Sequence, residues 1–302
     1  MLPKKILPFL IFLFALTPAV FAQSPYPPPP TPDPEIQRQM ELRNIRRHMD
    51  VLESISRGPT QSRKIIPQGP ATVLLAQYRR STLEELQLLA PEHEDALKYA
   101  DFLRQKNTGL MKLVIDLGCD EYSVKSQNSR ICDKFSMPGG GSAFSFRQKD
   151  YQMWKLADLL YDGNSLIAFG QISQGFLVNL GDVPLKNIRR ETGGLDYFYS
   201  FAPAIDLAAA ANQNKQFVDG YSLNGFNYFK LLSAVENNTF VLRSIAYQGN
   251  APRTERGLVY NELDYDKRDD VIVAFRIVRK DFNGTLTILW KILQSKPSPN
   301  FK

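Results

Sequence analysis

Hydrophobic and polar positions change their period about a third of the way along the chain. Before Gly109 the apolar residues recur at helical spacing. Leu42, Ile45, Met49 and Leu52 make one stripe, joined by Ile36 and Ile55. Asp33-Pro34-Glu35 is a helix start, with an N-cap, a proline at the first helical position and an acid in the first turn. Arg57-Gly58-Pro59 ends that helix. Ser81-Thr82-Leu83-Glu84 reads as a capping box, with Leu83, Leu86 and Leu89 on the face that follows. Pro91 opens a further helix through Leu97, Ala100, Phe102 and Leu103. The spacing predicts a mainly helical region over 35–108.

After Gly109 the period is two. The strand from Leu110 to Leu117 leads into a polar loop between Cys119 and Cys132, and Pro138-Gly139-Gly140-Gly141 then acts as a linker, so 109–141 reads as one segment. From Ser142 onward the pattern is β. Strands are expected at Trp154 to Leu160 and Leu166 to Phe169, joined across Asp162-Gly163-Asn164. Others fall at Phe176 to Leu180, Tyr197 to Phe201, Phe226 to Ala234 and Thr239 to Tyr247. One helix interrupts them, starting at Pro203 and using Leu207 to Ala211 and Phe217. The clearest hairpin is last. Val271, Val273, Phe275 and Ile277 face Leu286, Ile288, Trp290 and Ile292 around Asn283-Gly284, which suits a two-residue type I′ turn. The expected fold class is α+β. A helical N-terminal third precedes a mainly antiparallel β domain over 142–302, a sandwich or curled sheet with one inserted helix.

The first 34 residues add the compartment. Lys4 and Lys5, the apolar run Ile6 to Phe14 and the small-residue end at Ala22 are the three parts of a secretory signal peptide over 1–22. The run is too short for a bilayer, which needs about 20 apolar residues. No cysteine stands at the cut to carry a lipid anchor. Residues 23–34 form a proline-rich spacer in polyproline II, projecting roughly 30 Å at about 3.1 Å per residue. The expectation is a bacterial protein exported to the periplasm or beyond, with no transmembrane segment once the leader is gone. In such a compartment two cysteines, Cys119 and Cys132, read as a disulfide. That bridge would close a loop too polar to bury itself and contribute about 3 kcal/mol. The spacing is not Cys-x-x-Cys and no histidine is near, which argues against a redox or metal pair.

Charge and chemistry narrow the rest. The formal charge of +6 falls to +4 when Lys4 and Lys5 leave, and basic residues are scattered among acidic ones. That pattern argues against nucleic acid as a partner. The glycine cluster at 139–141 lacks the Lys-Ser/Thr ending of a phosphate-binding loop. His48 and His93 both fall in predicted helices, away from any nucleophile, so neither a Ser-His-Asp set nor a zinc site is indicated. The reading assigns no metal and no cofactor. Asp264-Tyr265-Asp266-Lys267-Arg268-Asp269-Asp270 is dense enough in oxygen for calcium, yet it lacks the glycine and spacing of an EF-hand loop. Carboxylate chemistry would draw on Asp158, Asp162, Glu191, Asp196, Asp206, Glu262 or Asp264. On a strand at Tyr197-Phe198-Tyr199, Phe198 would face the core, while Tyr197 and Tyr199 would share the opposite face as a ligand-binding platform. The function expected from these features is an exported cell-envelope binding or scaffold protein without catalytic activity, its partner an envelope protein or polysaccharide. The alternative is a secreted carboxylate-dependent hydrolase acting on glycans. A third reading makes the helical region an oligomerisation element.

Overall fold

The period-two pattern after Gly109 folds as antiparallel sheet. In a computed structural model of the chain, the residues described are Tyr78, 80–115, 138–255 and 258–301. The expected signal peptide, proline spacer, Ile36-to-Ile55 stripe and both cysteines lie outside them.

The larger sheet has seven strands, numbered here in chain order. Across the sheet they run β1 (Thr108–Leu113), β14 (Leu286–Pro297), β13 (Asp269–Lys280), β10 (Thr239–Ala246), β6 (Ser173–Asn179), β8 (Phe226–Phe229) and β7 (Tyr221–Leu223). The smaller sheet has five: β3 (Asp150–Tyr151), β2 (Ala143–Ser145), β4 (Leu159–Tyr161), β5 (Ser165–Ala168) and β9 (Leu231–Ser233). A separate ribbon joins β11 (Pro252–Glu255) to β12 (Leu258–Asn261).

Alternation sorts the side chains into layers. Val271, Val273, Phe275, Ile288 and Trp290 face the smaller sheet and pack on Phe144, Phe146, Leu159, Tyr161 and Leu166. Their neighbours Ile272 and Ala274, with Phe176, Val178, Val241 and Ile245, bury against helices on the opposite face. The central strands are therefore covered on both sides, and β10 is buried at every position. Among the described strands the chain passes between the sheets four times, from β1 to β2, β5 to β6, β8 to β9 and β9 to β10, and Lys230 stands between β8 and β9.

The helical third is corrected. The described residues are mostly antiparallel sheet with five α-helices, only one of them long. Those before Gly109 are α1 (Leu83–Leu88), α2 (His93–Lys98) and α3 (Ala100–Leu103). The apolar stripe is broken at Ala90-Pro91 and again at Tyr99, and helices so short depend on tertiary packing. They receive little of it: Leu83 is 79% exposed and Leu97 63% exposed, while Leu89 is buried. The capping box exists one residue later than expected, with Thr82 and Glu85 exchanging bonds.

Two further differences have local causes. Tyr197 to Phe201 is not a strand but helix α4 (Asp196–Ser200). The inserted helix is present as α5 (Leu207–Asp219), capped by Asp206, whose carboxylate accepts from the Ala209 amide at 2.7 Å. The last hairpin forms as expected, but Lys280 pairs with Leu286, and Asp281 accepts from the Gly284 amide. Only Gly284 of the Asn-Gly pair has positive φ, at 81°. A type I′ turn needs it at both, so the connection is a longer loop with glycine at the left-handed position.

The β1 edge depends on one close approach. Gly109 lies opposite Trp290, and a Cβ there would sit 2.3 Å from the indole ring. We expect Gly109→Ala to lower unfolding free energy by about 1–3 kcal/mol through overpacking. A urea midpoint equal to that of the wild type would show that the β1 edge yields freely.

Candidate functional site

The acid-dense run from Asp264 to Asp270 is a set of counter-charges for buried arginines. Asp266 accepts from Arg147 Nη1 and, at 2.7 Å, from Arg268 Nη1. Asp158 accepts from Arg147 Nε at 2.7 Å. All four side chains are buried, and two positive groups meet two negative ones. Further guanidinium hydrogens go to main-chain carbonyls: Leu156 and Lys267 for Arg147; Tyr247, Gln171 and Ile172 for Arg268. Burial works against the charge on Arg147, and the two aspartates outweigh it, so its pKa is raised. Burial prevails at Arg268, which is pushed down to about 10. That value leaves it charged at neutral pH.

Asp270 forms a second pair. It takes a fork from Arg243, at 3.0 Å from Nε and 2.8 Å from Nη2, and both groups are buried. The other arm of Arg243 holds the carbonyls of Phe198 and Phe201 at 2.7 Å each. These lie at the C-terminal end of α4, where a cation satisfies carbonyls that the helix leaves open. A residue on β10 thus fixes a five-residue helix that has little propensity to form alone.

Helix α4 separates the two tyrosines expected to act together. Residues two apart on a helix do not share a face. Tyr197 enters an aromatic cluster, 4.7 Å from the Tyr228 ring and 5.0 Å from that of Tyr221, and burial pushes its pKa up to about 12. Tyr199 stays outside that ring cluster, with the Arg190 guanidinium 4.7 Å from its centroid. Phe198 is buried.

The candidate carboxylates have structural partners in several cases. Asp158 belongs to the arginine pair, Asp162 accepts from the amides of Asn164 and Ser165, and Asp206 caps α5. Asp264 is exposed and accepts from Asn261. Glu191 and Asp196 are exposed. Among the described residues no group of three His, Cys, Asp or Glu side chains could hold a metal ion. No helix among them is long and apolar enough to cross a membrane.

Glu262 lies in a recess that the sequence did not reveal. It is 2% exposed, and its Oε1 accepts from the Tyr78 hydroxyl at 2.9 Å and from Arg253 at 3.2 Å. The Tyr78 ring stacks on Tyr265 at 4.5 Å and meets the edge of Tyr260 at 5.8 Å. Met153, Leu156, Ala251 and Leu263 complete the walls. Glu262 was among the candidate carboxylates, whereas Lys230 was not singled out from the sequence. It is 5% exposed, and burial pushes its amine down to about 8, with no opposing charge among the described residues. A lysine inside the apolar run Tyr228-Phe229-Lys230-Leu231-Leu232 is the signal that marks it. Comparison with protein-family models, characterised proteins and solved structures finds no match for the chain.

Two measurements test these electrostatics. Asp270→Asn leaves Arg243 buried without its counter-charge and should cost about 3–5 kcal/mol in urea unfolding. Asp182→Asn, at the exposed partner of Arg276, should cost under about 1 kcal/mol. Equal losses would show that burial does not set the difference. For Lys230 the unfolded chain binds a proton more readily than the folded one between the folded value near 8 and the ordinary value of 10.5. Stability therefore rises with pH across that window, by about 2 kcal/mol from pH 7.5 to 9.5. The rise should shrink in Lys230→Met, and an unchanged slope in that variant would assign it to other groups.

Proposed function

We propose that the protein is an exported, non-catalytic binding or scaffold protein of the bacterial cell envelope, and that it engages envelope polysaccharide at a surface containing Tyr199 and Arg190. The observation that carries this reading is the Tyr199–Arg190 pair. Tyr199 is half-buried and packs at the edge of the aromatic cluster without a ring-to-ring contact among the described residues, with a guanidinium against its ring. An aromatic face stacks on a sugar ring, while a guanidinium donates in pairs to carboxylate or phosphate groups. Arg189 and Lys186 are exposed in the same connection and add positive charge. Tyr197 supports the surface from behind, through its packing on Tyr221 and Tyr228.

The reading also draws on the leader-like start and the proline-rich spacer, which would hold the β body away from its point of export. Co-sedimentation of residues 23–302 with purified wall polysaccharide, and separately with protein-containing membranes, tests it. Retention by polysaccharide is expected, falling about tenfold when Tyr199 and Arg190 are both changed to alanine. The melting temperature of that variant should match the wild type. Retention by neither fraction overturns the proposal. Retention only by membranes replaces the polysaccharide with a protein partner, and release of soluble sugars establishes the glycan hydrolase instead.

A further inference from the structure

We propose that the polysaccharide engaged at the Tyr199 surface is an acidic one, and that a cluster of four cations, Lys186, Arg189, Arg190 and Lys291, takes its carboxylate or phosphate groups. The inference rests on the polysaccharide reading of that surface. It adds the chemical class of the ligand and a binding residue, Lys291, that stands on the sheet itself.

The connection that carries the cluster is pinned from below and closed on itself. Leu185, Ile188 and Leu195 are buried in the core on the helix-covered face of the larger sheet. A 3-10 turn, Leu185–Asn187, opens the connection. The Arg189 amide then donates to the Thr192 hydroxyl oxygen at 2.9 Å, and the Thr192 amide donates to the Arg189 carbonyl at 3.1 Å. With the apolar positions turned inward, Lys186, Arg189 and Arg190 are left exposed. Lys291 reaches the same turn from β14. Its ammonium donates to the Ile188 carbonyl at 2.7 Å, one residue before Arg189. Arg190 lies over the Tyr199 ring, 4.7 Å from its centroid. The cations therefore have fixed places beside the aromatic face.

Their charge is not balanced within the fold. Among the described residues none of the four forms an ion pair, whereas Arg276, which donates to the Val183 carbonyl at the start of the same connection, is paired with Asp182 at 2.6 Å. Glu191 is the one acid between 185 and 195, and Asp196 follows at the start of α4; both are exposed. Burial, and then the nearby charge of Arg189, hold the Lys291 amine below its ordinary range. An anionic oxygen between Arg189 and Lys291 would relieve that repulsion, a gain that a neutral ligand does not offer. The two arginines present planar forks that match carboxylate or phosphate, and Lys291 presents a point charge. Four cations on one surface exceed what a single carboxylate neutralises, so the ligand that fits repeats its charge along a chain. Tyr199 supplies the contact for a sugar ring within it. A lipid surface fits less well. No large exposed apolar side chain among the described residues lies between 182 and 201, so nothing beside the cations would enter the acyl region.

The test titrates full-length protein with polygalacturonate, with the same polymer fully methyl-esterified, and with poly(glycerol phosphate); phosphatidylglycerol vesicles form a fourth arm. The expected result is binding of at least one acidic polymer, about tenfold or more tighter than the ester. Raising NaCl from about 0.05 to 0.5 M should cost at least about tenfold. Preference for polygalacturonate or for poly(glycerol phosphate) identifies the acid as carboxylate or phosphate, and either supports the proposal. Lys291→Gln keeps a donor for the Ile188 carbonyl and should weaken the acidic polymer about three- to tenfold, with a shallower dependence on salt. Arg189→Gln, at an exposed side chain, should do the same without touching the core. Equal affinity for the acid and its ester overturns the acidic class and leaves the polysaccharide reading standing. Failure of both acidic polymers to bind a protein still retained by wall polysaccharide has the same consequence, whereas retention by no polysaccharide removes both. Binding to the vesicles alone also overturns the proposal and assigns the cluster to a lipid surface.

Discussion

The fold depends on burying three arginines and meeting each of them with a buried aspartate. Arg147, Arg243 and Arg268 are buried, and Asp158, Asp266 and Asp270 meet them. An arginine left unpaired in such surroundings costs several kcal/mol, so the partners must arrive together. They come from distant parts of the chain. Arg147 follows β2 in the smaller sheet, Arg243 lies on β10 in the larger one, and Asp266 and Asp270 stand just before and at the start of β13. Arg268 also holds the carbonyls of Gln171 and Ile172, at the crossing from β5 to β6. The clasp therefore sits where the two sheets are joined, and it specifies their relative placement by charge balance and by carbonyls that only one geometry satisfies. Apolar burial supplies the driving force, and guanidinium groups with all three nitrogens engaged restrict the geometry in which that burial occurs.

That arrangement decides where binding chemistry remains available. Side chains inside the clasp have their lone pairs and hydrogens committed, and disturbing them disturbs the fold. Arg243 shows the consequence: by anchoring the end of α4 it places Phe198 in the core and leaves Tyr199 outside, beside Arg190. A surface feature is thus positioned by a buried ion pair. Lys230 is the contrasting case, a buried cation without a counter-charge among the described residues, and its burial is a standing cost at neutral pH.

How much of this was legible follows from range. The β13–β14 hairpin could be read because twelve residues on each strand alternate and the partners are adjacent in sequence. Helix α5 could be read from its alanine run, but its start was placed at Pro203, whereas the cap is Asp206. Tyr197-Phe198-Tyr199 could not be read correctly, because three alternating aromatics fit a strand or a helical turn equally well. The group that decides between them, Arg243, lies more than forty residues away. The acid-dense run announced unusual charge but not its partners. The recess was invisible for the same reason: Tyr78 and Glu262 are 184 positions apart, and neither carries a local pattern. The early apolar stripe failed in the other direction. Its spacing was right for helix, but Pro91 and Tyr99 cut it into pieces too short to present a continuous face.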